Sequence, residues 1–98
     1  MVTIAEQFSI VLEDFITYVN NNIDNDTIKS HISSWAGRPL EDTVLLIDRY
    51  LSEWAGNMHV YVAVLYSTFG VQPSLEVSVK LVEYLELLQQ LAHTIVKN

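Results

Sequence analysis

Ninety-eight residues make room for one domain, and with half of them hydrophobic the chain can bury a core rather than stay disordered. It has no cysteine, which removes disulfides, thiol nucleophiles and thiolate metal sites together, while 3 Gly and 2 Pro are few for an all-β chain of tight turns. A net charge of −7, with no base before Lys29, repels phosphate backbones and anionic lipid, so nucleic acid and membranes are not expected partners.

Thr3 and Glu6 have the spacing of a capping box and open the first helix, predicted over 3–22. Ile4, Phe8, Val11, Leu12, Phe15, Val19 and Ile23 recur at helical spacing along it, and Ile10 alone stands among the polar residues of the other side. Asp24, Asn25 and Asp26 offer N-caps for a second helix over 26–36, with Ile28, Ile32 and Trp35 facing inward and Gly37 as its left-handed cap. Pro39 suits the start of a third helix over 39–55, whose core stripe is Leu40, Val44, Ile47, Leu51 and Trp54, with Leu45 and Leu46 to either side. Gly56 is expected to close it.

The run from Val60 to Tyr66 is β-branched and aromatic, and on propensity alone it would be a strand. No second run of that kind exists to pair with it, so a fourth helix over 57–69 is expected, capped by Asn57 and Gly70. Apolar on every side, it reads as a buried central helix. Ser74 then opens a long C-terminal amphipathic helix over 74–97. Its core stripe is Val77, Leu81, Tyr84, Leu88, Leu91 and Ile95, while Leu75, Val79 and Val82 repeat the spacing on nearly the opposite side and Leu87 falls on neither. The expected fold is therefore all-α: one domain over 1–98, a compact five-helix bundle around a buried central fourth helix.

Ser33-Ser34-Trp35-Ala36-Gly37 and Ser52-Glu53-Trp54-Ala55-Gly56 repeat at a spacing of 19, and Ile28/Ile47 and Ile32/Leu51 align with them. One local cause covers both copies, a helix that ends in glycine with an inward Trp ahead of the cap. Two copies are too few for a solenoid.

Chemistry-bearing arrangements are missing. Asn22, Asp24 and Asp26 imitate the start of a calcium loop, but Thr27 replaces the required glycine and Ser33 the closing acid. His31, His59 and His93 lie on three different helices without a second ligand at i, i+4. His31 is expected to pack its ring beside Trp35 with a nitrogen reaching solvent. There is no nucleophile elbow and no glycine-rich phosphate loop. No enzyme, no metal and no cofactor are expected. Asn25-Asp26-Thr27 matches the glycosylation acceptor pattern, but acid at Glu6 and the lack of a long apolar run argue against export and for an intracellular, cytoplasmic protein.

Two functions remain. In the first, the chain is a non-enzymatic protein–protein interaction module, a small helical subunit or adaptor that binds a protein partner or itself through Ile10, Leu46, Leu75, Val79, Val82 and Leu87. In the second it is an acidic inhibitor or immunity-type protein that blocks a basic, nucleic-acid-binding site on a partner through Glu6, Glu13 and Asp14. Ionic strength separates them, since only the second weakens steeply with salt.

Overall fold

In the computed structural model, which describes residues 2–54, 57–70 and 74–97, Thr3 Oγ1 accepts the Glu6 N–H at 3.1 Å. Behind that cap runs α1 (Ile4–Asn22). The same device recurs along the chain. Asn25 Oδ1 accepts from the Ile28 N–H at 2.9 Å and starts α2 (Asp26–Ser33), and Asn57 Oδ1 accepts from the Val60 N–H at 3.3 Å and starts α4 (Met58–Phe69). Ser74 Oγ accepts from the Val77 N–H at 3.3 Å at the head of α5 (Leu75–Lys97). Between them α3 (Leu40–Ser52) begins after Pro39 without a side-chain cap. Each cap satisfies a backbone donor that the helix itself cannot.

The fold is an all-α bundle of five helices, and the described residues contain no strand. Val60 to Tyr66 is helical, as the lack of a pairing partner requires. Gly70 caps α4 at φ +67°, and Gly37 follows α2 at φ +82°. Gly56 lies outside the described residues.

Helices α2 and α3 end earlier than their patterns suggest. At Trp35 and Trp54 the backbone N–H donates three residues back, to Ile32 and Leu51, at 3.1 Å in both cases. The last turn of each thus tightens towards a 3₁₀ geometry.

The layout corrects the expectation of a central fourth helix. α5 is the shared element, packed against α1, α3 and α4, while α2 packs on α1. Length decides this. With 23 residues α5 runs roughly 35 Å and reaches along both other long helices, whereas the 12 residues of α4 span only roughly 18 Å. Apolar residues all round α4 do not bury it all round, because Val60, Ala63 and Val64 face outward.

The buried arc of α5 is broader than its expected stripe and turned away from it. Leu81, Val82, Leu85, Leu88 and Ala92 are fully buried, and Val77, Tyr84, Leu91 and Ile95 are only half covered. A helix held by three neighbours is covered over more of its circumference than one stripe describes. Elsewhere the stripes hold through their middles, with Phe8, Phe15 and Val19 of α1 and Val44, Ile47 and Leu51 of α3 in one core. Their N-terminal ends do not, since Ile4 and Leu40 are exposed.

Candidate functional site

Of the six apolar residues expected outside the core, Val82 is a correction. It is 5% exposed and belongs to the chain's own core. Leu46 is half-buried against that core, and Ile10 is exposed by itself on the polar side of α1. Leu87 is exposed between Glu83 and Gln90, with no exposed large hydrophobe at its neighbouring helical positions.

Leu75 and Val79 are different. They sit one turn apart on one side of α5, 80% and 45% exposed. A second such pair was hidden by the all-round apolar pattern of α4. Val60 and Val64 are 46% and 42% exposed, also one turn apart, with Ala63 and Ser67 beside them. α4 carries no Asp, Glu, Lys or Arg, so this outer face has no fixed charge in a protein of net charge −7. The signal available in sequence was that lack of charge, because a solvent face normally carries some.

Glu6, Glu13 and Asp14 are all exposed along α1. Glu13 lines a groove of about 410 Å³ between α1 and the approach to α3. Leu12, Ile16 and Leu40 supply its apolar lining, which accounts for the exposure of Leu40. Arg38 lines the same groove, so its charge is mixed rather than anionic.

Aromatic rings link all five helices. Tyr18 and Phe15 both meet Tyr84, at 5.7 and 5.6 Å between ring centroids, and Phe15 meets Trp35 at 5.9 Å. Trp35 continues to Tyr50 at 6.1 Å, and Tyr61 joins Tyr50 and Trp54 edge-on at 5.5 and 5.4 Å. These separations and tilts are those at which aromatic quadrupoles attract. Trp35 is in the core as expected; Trp54 is half-buried and forms part of a pocket wall.

His31 packs its ring against Trp35, Tyr50 and Phe69 as expected, with its Nε2 buried and without a hydrogen-bond partner. The hydroxyls of Tyr61 and Tyr66 are also buried without a partner. Each such group costs about 1–3 kcal/mol when nothing replaces its water. Burial first, and the neighbouring Tyr50 phenol second, push the Tyr61 phenol far above its ordinary range.

His59 is exposed, and His93 Nδ1 lies 3.3 Å from Asp48 Oδ1, a pair that no sequence spacing announced. Among the described residues no three His, Asp or Glu side chains gather closely enough to hold a metal ion, and no helix is long and apolar enough to cross a membrane. Neither a protein-family model, nor a curated protein, nor a solved structure matches this chain.

Proposed function

We propose that this protein is a non-enzymatic protein–protein interaction module, a small helical subunit or adaptor that associates through apolar helix surface with a protein partner, a second copy of itself included. The observation that supports this is arrangement rather than amount. More than half of any folded surface is apolar, so single exposed hydrophobes such as Ile10 carry no message. Leu75 with Val79, and Val60 with Val64, instead form pairs at one-turn spacing, the second on a face without charge. Covering one such Leu or Val contributes about 1.5–3 kcal/mol, so a few of them sustain a specific contact. The mixed charge beside Glu13 gives the acidic-inhibitor reading no comparable support.

The solution mass of wild type is compared with that of Leu75→Glu/Val79→Glu and of Val60→Glu/Val64→Glu, with helical content checked by circular dichroism. The wild type should either exceed the mass of one chain or retain a partner from its native extract, and at least one variant should lose that association while staying folded. Association should change little between low and high salt. A folded single chain throughout, retaining nothing, overturns the reading.

A further inference from the structure

We infer that the groove between α1 and the approach to α3 receives the first turns of α5 from a second copy of this chain, a contact that rests on the protein being an interaction module. Leu75 and Val79 of the guest helix lie on the apolar floor, with Lys80 beside Glu13 and Glu76 beside Arg38. The groove measures about 410 Å³. An apolar cavity of about 150 Å³ already takes up benzene, so two aliphatic side chains have room here. Leu12, Ile16 and Leu40 form the apolar part, and Leu40 is left 39% exposed.

Charge selects the occupant. Among the described residues the ion pairs are Lys80–Glu83 and Asp48–His93, so Glu13 and Arg38 line the groove with neither charge answered. A matching guest offers a base and an acid beside its apolar residues. Of the two exposed apolar pairs, only Leu75 and Val79 do so. Glu76 and Lys80 follow them by one position each and are exposed on the neighbouring row of the same helix. Val60 and Val64 have no charged residue on their helix at all. The α1 wall of the groove repeats this layout, with the apolar row of Leu12 and Ile16 next to the polar row of Ser9, Glu13 and Thr17. Lys80 lies 3.9 Å from Glu83 with 49% of its side chain exposed, so it can turn to Glu13 without stranding a buried charge. Exposed ion pairs fix the register of such a contact, and the apolar residues supply most of its strength. Each copy carries both surfaces, which is what head-to-tail association requires.

The mass of the intact chain is followed by sedimentation over a range of concentrations, with circular dichroism on every variant. Wild type should exceed the mass of one chain. Leu40→Glu, which puts an acid on the groove floor at an exposed position, and Leu75→Glu/Val79→Glu, which spoils the guest, should each be folded single chains. Mixed in equal amounts they should regain a two-chain mass, because the first keeps the guest and the second keeps the groove. Glu13→Lys should weaken self-association by about 3- to 10-fold, and Glu13→Lys/Lys80→Glu should recover it. A mixture that stays single, Leu40→Glu associating like wild type, or no recovery in the double exchange overturns this docking and leaves the interaction module standing. So does a wild type that is single throughout yet retains a partner from its native extract. A single wild type that retains nothing overturns both.

Discussion

Trp35 and Trp54 stand in the same local setting and meet different ends. Each closes a helix whose final N–H turns back to the residue three before it, at the same 3.1 Å. Trp35 is 4% exposed and sits between Phe15 of α1 and Tyr50 of α3. Trp54 has Tyr61 on one side and a pocket on another, and is only half covered. The backbone at the two Trp residues therefore turns back alike, and neighbours distant in sequence decide whether the ring becomes core or wall.

Truncation should separate the two most strongly. Trp35→Ala removes a ring enclosed on all sides and should cost about 3–5 kcal/mol, measured by urea unfolding. Trp54→Ala should cost about 1–2 kcal/mol, because the ring is half exposed and buries less area. Equal losses would break the distinction between them.

The backbone of the first copy comes next. Gly37 has φ +82° and open space around the position of a Cβ, so Gly37→Ala meets strain without a clash. A loss of about 1–2 kcal/mol is expected, and Gly37→Asn should lose less because Asn tolerates the left-handed region better. The same unfolding curves report it.

Alkali probes the second copy through the ring that Trp54 rests on. Burial raises the Tyr61 phenol above the 10.0 of a free tyrosine, so the unfolded chain releases this proton first as pH rises. Stability should be constant in this term below about pH 10 and fall above it, as the linkage of proton binding to folding requires. Tyr18 and Tyr66 are raised by burial in the same direction. Tyr61→Phe should therefore flatten only part of the alkaline slope, and an unchanged slope would remove Tyr61 from the buried set.

Which parts could be read in advance follows from how far the deciding contacts reach. Thr3, Asn57 and Ser74 bond to an N–H three residues on, so their caps were legible from residue type and spacing. Gly70 was legible for a similar reason, since its φ of +67° suits glycine above other residues. Val82 was not. Its spacing places it with Leu75 and Val79, but α5 is held by three helices at once and the arc they cover extends to it. The outward face of α4 escaped for the opposite reason, because an apolar pattern on all sides carries no phase to say which side is left open. Asp48 and His93 lie 45 residues apart, beyond any local rule.

By itself the sequence determined that this chain is helical, where its helices start and that it has no thiol. Those outcomes rest on caps, turns and periodicities that act within one or two helical turns. Only the tertiary structure decided that α5 rather than α4 is the shared element, that Val82 is core while Leu75 stays exposed, and that Tyr61 is buried with its hydroxyl unanswered. Each of those depends on how helices of unequal length share a limited buried surface, and that is a property of the whole assembly of helices and of no single segment.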